Sequence, residues 1–134
     1  MEILTQRDFI PKNIFEKNYE KISNILPNID AISSQNIEIQ LIPQLKDKYS
    51  VQLLSFNTEY IDISFSHYIL ENNDLIPDPE FVLRTYPNVK IIEVLQYQDR
   101  FGIQKAYHSD RRINPEVKVK INHFLGKWLE LIIK

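Results

Sequence analysis

By residue type, His67, His108 and His123 are the side chains best suited to moving protons or holding a metal ion, and none stands in a His-Glu-x-x-His or similar zinc spacing. No metal site and no cofactor are expected. His108 lies two residues before Asp110 and next to Arg111 and Arg112, a pairing that could serve acid–base work. In an exposed turn the same residues are only a solvated cluster. His67 shares strand parity with Phe65 and reads as an edge-of-core residue. Ser64 and Ser66 lack the Gly-x-Ser-x-Gly surroundings of a hydrolase nucleophile. With only 2 glycines in the chain, both types of glycine-rich phosphate loop are excluded. The acids Asp74, Asp78 and Glu80 cluster without a third fixed group, so no catalytic residue is assigned.

Arg84 and Glu93 carry more geometry. They flank Pro87-Asn88, which separates two strand-like runs, 81–86 and 90–98. Pro87 holds its own φ at about −65°, which rules out a two-residue loop needing positive φ there and predicts a type I turn inside a longer loop. A turn centred between Pro87 and Asn88 sets Tyr86 opposite Val89, Arg84 opposite Ile91 and Val82 opposite Glu93. Arg84 and Glu93 then become diagonal neighbours on one face. They could form a structural ion pair that fixes register, or Arg84 could offer its planar fork to a carboxylate or phosphate.

Two helices and a sheet must position these groups. In the last stretch, Asn114 to Lys134, Asn114 suits an N-cap, Pro115 the first helical position and Glu116 the positive end of the dipole. Val117, Ile121, Phe124, Leu125, Trp128 and Ile132 recur at helical spacing and need an apolar partner. Gly126 inside that helix costs roughly 1 kcal/mol against alanine, which predicts a close neighbour. Pro11 to Leu26 reads as a first amphipathic helix through Ile14, Phe15, Tyr19, Ile22, Ile25 and Leu26, followed by a polar loop over 28–35. Apolar alternation predicts strands over 36–41, 49–53, 60–69, 81–86, 90–98 and 101–107. The two prolines and four acids of 71–80 predict a long loop. The expected fold is α+β, an antiparallel meander of about six strands with the N-terminal and C-terminal helices packed on one face.

Its 134 residues fit a single globular domain, 1–134, and 43% hydrophobic against 25% charged residues is an ordinary globular balance. The net charge of −2 hides an asymmetry. Up to Asp99 there are 8 basic against 15 acidic residues, and from Arg100 onward 8 against 3. A basic stripe from Lys105 through Lys127 is therefore one candidate for weak nucleic-acid binding, with tyrosines and phenylalanines on the strands as a stacking platform. No run reaches the roughly 18 apolar residues of a membrane span. Met1 to Ile10 lack the basic flank and apolar stretch of a signal peptide, and cysteine is absent, so a cytoplasmic setting is expected.

Lys118 with Ile121-Asn122-His123-Phe124-Leu125-Gly126-Lys127-Trp128-Leu129 resembles the ending of the YqiB-like family of small bacterial proteins, a domain of unknown function. Phe81 to Val89 followed by Ile92-Glu93-Val94 is similar to that family's hairpin. Pro87 and Asn88 stand where the family has His and Asp, so a catalytic role for that pair would not carry over. The resemblance implies no activity, ligand or partner. Its matching positions, Arg84, Tyr86, Glu93, Tyr107, Lys118 and Asn122, are the candidate binding residues, with Trp128 matching in the last helix. The leading expectation is a non-enzymatic protein that binds a protein partner through the polar face or rim of its sheet. The alternatives are a small enzyme with Arg84 as anion anchor and Glu93 or His108 as base, and a nucleic-acid binder. A concave pocket separates the enzyme from an exposed docking patch.

Overall fold

The computed structural model describes residues 13–26 and 48–132. Helix α1 (Ile14–Ile25) precedes five strands, β1 (Lys48–Phe56), β2 (Ile61–Glu71), β3 (Asp74–Tyr86), β4 (Ile91–Asp99) and β5 (Gly102–Lys105), and helix α2 (Pro115–Ile132) follows them. The strands lie in chain order in one antiparallel sheet, the arrangement that short links between consecutive strands impose. The α+β meander is present with five strands among the described residues instead of about six. The strand expected over 36–41 and the loop over 28–35 lie outside them.

Alternation decides which face is covered. Ile63 and Phe65 of β2, Phe81 and Leu83 of β3, and Ile92 and Val94 of β4 are fully buried, and they share one core with Ile22 of α1 and Ile121, Leu125 and Leu129 of α2. Trp128 fills the space over β1 to β3, its ring centroid 5.7 Å from Tyr49 and 5.1 Å from both Phe65 and Phe81. The buried stripe of α2 differs slightly from the six residues expected: Leu129 is wholly inside, while Phe124 is exposed at its margin and leans on Tyr97. Local capping holds α1, where Asn13 accepts the Glu16 N–H at 2.9 Å.

The helices cross closely at Gly126. An added Cβ there would sit 2.9 Å from Asn18 Oδ1, and Asn18 is completely buried, donating through Nδ2 to the Asn122 carbonyl at 2.8 Å. A small residue is required by contact, as its awkward place in a helix suggested.

Two expectations are corrected. Residues 71–80 do not form a long loop. Asn72 and Asn73 take φ of 52° and 70°, the consecutive left-handed conformations that a two-residue hairpin turn needs and asparagine tolerates. Strand β2 therefore turns straight into β3, with Glu71 opposite Asp74 and Tyr68 opposite Pro77. Pro79 falls where the ladder shifts between Ser66 and Tyr68, a bulge that does not require its missing donor. The second correction is register: Arg84 is directly opposite Glu93, not diagonal to it, and Tyr86 pairs Ile91. The loop spans four residues, Pro87 to Lys90, and closes with Lys90 at φ 55° donating its N–H to the Tyr86 carbonyl at 2.9 Å.

Candidate functional site

The face of the sheet turned away from the helices carries two cross-strand rows. Asp62, Arg84 and Glu93 form one; Ser64, Val82, Gln96 and Lys105 form the next. Arg84 places Nε 2.8 Å from Asp62 Oδ1 and Nη2 2.9 Å from Oδ2, a two-pronged pair, and its guanidinium lies over the Tyr60 ring at 3.8 Å. The hydrogen bonds to Asp62 hold the Arg84 pKa above its ordinary range. Ser55 Oγ adds a donor to Asp62 Oδ2 at 3.1 Å.

Glu93 is served from the other side. Its Oε1 accepts the Tyr86 hydroxyl at 3.0 Å, and its Oε2 accepts the Tyr107 hydroxyl at 2.8 Å and lies 3.2 Å from Lys118 Nζ. Lys118 also donates to the Tyr107 oxygen at 3.0 Å. Burial, and after it the Glu93 charge, pushes Tyr86 up to about 12, and burial likewise raises Tyr107. Burial alone would lower Lys118, but its hydrogen bond to Tyr107 and the charge of Glu93 outweigh that and raise it.

A lysine of α2 reaches this carboxylate because β5 is short. The ladder between β4 and β5 ends at Gln96 and Lys105, which leaves the beginning of β4 without a strand neighbour on the side away from β3. Asn122 takes over there: Oδ1 accepts the Val94 N–H at 2.8 Å and Nδ2 donates to the Lys118 carbonyl at 2.7 Å. One turn of helix earlier, Lys118 passes the same edge.

After β5 the chain doubles back. Tyr107 bridges Ile113, the His108 N–H donates to the Arg112 carbonyl at 2.8 Å, and Arg111 sits at φ 71° with its N–H on the His108 carbonyl at 2.9 Å. This turn puts His108 and Arg111 on the wall of the same cavity as Lys105, one of about 640 Å³ whose wall also includes Tyr60, Arg84, Tyr86, Glu93 and Tyr107. A smaller cavity of about 270 Å³ lies at the same Tyr86, Glu93 and Tyr107, lined by Phe15, Ile91 and Lys118.

The candidate residues thus separate. Arg84, Tyr86, Glu93 and Tyr107 line the large cavity, and Lys118 lines the smaller one. Asn122 lines neither; it is fully buried and its side chain is spent on backbone groups. The expected meeting of the Arg84 and Glu93 charges gives way to separate partners, Asp62 and Lys118. Asp110 is held by Arg112, with Nε at 2.6 Å and the backbone N–H at 3.1 Å, so it does not make an acid–base pair with His108. Asp78 pairs Arg100 at 2.9 Å, and Glu80 accepts from Ser66 at 3.2 Å. Tyr60, Asp62, Lys105 and Arg111 were not among the site candidates. Asp62 had one sequence signal, its polar parity on β2. Only the turn after β5 shows that Lys105 and Arg111 belong with Arg84.

Among the described residues, no group of three or more His, Asp or Glu side chains could hold a metal ion, and no helix is long and apolar enough to cross a membrane. The profile of a family described as protein of unknown function (DUF1249) matches residues 21–134. Neither curated proteins nor solved structures gave a match.

Proposed function

The chain belongs to the DUF1249 family, and from that premise we propose that it is a binding protein for an anionic small ligand, held in the cavity on the open face of its sheet. One observation carries this reading. The cavity's charges are balanced in two places, Arg84 by Asp62 and Glu93 by Lys118, while Lys105 and Arg111 have no ion pair among the described residues. Two cations are left over beside a concavity with an aromatic wall, the setting in which an anion is drawn in and desolvated groups hold it.

Binding is favoured over catalysis by the state of the acids. Both oxygens of Glu93 already accept from donors, and the Lys118 charge beside Oε2 weakens it as a base toward a substrate proton. Tyr86 and Tyr107, both raised, stay protonated at neutral pH and serve as fixed donors. A concavity of this size, within the usual range for small-molecule sites, also favours a small ligand over the protein partner expected at an exposed patch. A bacterial cytoplasmic setting, read from the family resemblance and the absence of cysteine, belongs with this proposal.

Calorimetric titration with pyrophosphate and with citrate, at low and physiological salt, tests the reading. Saturable binding is expected, weakened at least about tenfold in Lys105→Glu/Arg111→Glu and little changed in Lys120→Glu/Lys127→Glu on the exposed side of α2. Equal loss in both variants would replace the cavity with a diffuse basic surface.

A further inference from the structure

The cavity has two chemically different ends. Tyr60 and Arg84 stand at one, with the guanidinium over the tyrosine ring and two of its nitrogens committed to Asp62. Arg84 is nonetheless 28% exposed. Tyr86 also acts on this guanidinium, so what Arg84 can offer a ligand in the cavity is the guanidinium plane turned away from the Tyr60 ring. A guanidinium backed by an aromatic ring and fixed in plane by a carboxylate is a preorganised stacking surface, the kind that takes a flat conjugated ring. At the other end stand the exposed cations Lys105 and Arg111, with His108 beside them on the cavity wall.

The register sets how far apart these ends are. Arg84 and Lys105 are two strands apart and in adjacent rows, which puts their Cα atoms roughly 12 Å from one another by strand spacing and rise. A ligand that touches both ends must therefore be longer than a single ring or a single phosphate. The wall also includes the apolar Val82 and Leu95 and the side chains of Tyr86 and Tyr107, whose hydroxyls donate to Glu93. A free phosphate would occupy the cationic end and leave most of the about 640 Å³ unused.

Building on the anionic-ligand reading above, we propose that the ligand is a nucleoside phosphate unit, its base on the Arg84–Tyr60 stack and its phosphate at Lys105 and Arg111. The unit is either a free mononucleotide or the terminal nucleotide of a single strand, since both present the same ring and phosphate.

Four probes titrated into the full chain test this: adenosine 5′-monophosphate, adenosine, ribose 5-phosphate and a short 5′-phosphorylated oligoadenylate. The mononucleotide is expected to bind at least about tenfold more tightly than either adenosine or ribose 5-phosphate, because stacking and charge contribute together. Lys105→Glu/Arg111→Glu should bring the mononucleotide down to the level of adenosine. Tyr60→Ala should bring it down to the level of ribose 5-phosphate. The wild-type comparison stands alone if the Tyr60 variant does not fold. Oligoadenylate binding much more tightly than the mononucleotide identifies a strand as the source; equal or weaker binding identifies the free nucleotide. If ribose 5-phosphate binds as well as the mononucleotide, the base site is wrong while the anion site stands. If no phosphate-bearing probe binds, and pyrophosphate and citrate do not either, the anionic-ligand reading fails with it.

Discussion

Arg84 and Glu93 face each other across the ladder of β3 and β4, yet each charge is answered from elsewhere, Arg84 by Asp62 on β2 and Glu93 by Lys118 on α2. The row Asp62, Arg84, Glu93 alternates in sign across three strands, and the guanidinium turns to the side where both its prongs are accepted. Double-mutant cycles in urea should separate the two relationships. Asp62 with Arg84 is expected to couple by about 1 to 2 kcal/mol, below the cost of breaking a fully buried pair because Arg84 is partly in water; Arg84 with Glu93 should couple by less than about 0.5 kcal/mol. A larger Arg84–Glu93 term would show that register is held by that pair after all.

Trp128→Ala tests the junction of α2 with the sheet. The indole meets Tyr49, Phe65 and Phe81, rings from three strands, so truncation leaves a void bounded by side chains that cannot close on it. A loss of about 3 to 5 kcal/mol is expected from the urea midpoint. A loss under about 1 kcal/mol would mean that the helix resettles on the sheet without it.

Gly126→Ala should destabilise although alanine is the better helix former by about 1 kcal/mol. Its Cβ would meet Asn18 Oδ1 at 2.9 Å, and Asn18 cannot retreat without losing its bond to the Asn122 carbonyl. The expected net cost is about 1 to 3 kcal/mol. Adding Asn18→Ala removes the obstacle, so the double variant should be more stable than the additive expectation. Strict additivity would remove the contact from the explanation.

Asn122→Ala should leave the Val94 N–H buried without an acceptor, at a cost of about 1 to 3 kcal/mol. Hydrogen exchange reads the cause directly. The Val94 amide should exchange faster in the variant relative to the Glu93 amide, which faces β3, and unchanged relative protection would show that the strand edge finds another acceptor.

Legibility followed periodicity. Both helices and the strands of the described sheet were readable because apolar spacing of either 3.6 or 2 is a local property. The hairpin at Asn72-Asn73 was missed because composition, with two prolines and several acids, outweighed a two-residue turn signal that asparagines can supply. Arg84 and Tyr86 each meet a partner two residues further along the chain than expected, because Lys90, a residue without the usual turn chemistry, takes positive φ and lengthens the loop. At the cavity, Arg84, Tyr86 and Glu93 share one hairpin and could be connected by counting. Lys105 and Arg111 could not, since their place depends on where β5 stops and how residues 107–113 reverse. Asn122 looks like a ligand contact in the sequence because a polar residue on a helix gives no sign, in one dimension, that it will cover a strand edge.

Alkaline pH offers the last test, of the Tyr86, Glu93, Tyr107 and Lys118 network. Tyr86 is pushed up to about 12 from 10.0, chiefly by burial and then by Glu93, and Tyr107 and Lys118 are raised as well. Each group therefore holds its proton more firmly in the folded chain than in the unfolded one. Where the unfolded chain has lost protons that the folded chain keeps, stability falls as pH rises. The Tyr86 contribution is accordingly full below the unfolded tyrosine value of 10.0 and is lost as pH climbs through about 12, and Tyr107 and Lys118 act in the same direction. The urea midpoint should stay level toward pH 9 and then drop steeply, as expected for raised phenolic and ammonium groups. Tyr97, also raised to about 12 by burial and by Asp99, adds to the wild-type slope from outside the network. Tyr86→Phe removes one titrating hydroxyl, so the variant should start less stable at neutral pH and fall less steeply in the alkaline range. An alkaline slope as steep as that of the wild type would show that the Tyr86 proton is not linked to folding, and the donor role assigned to it at the cavity wall would have to be withdrawn.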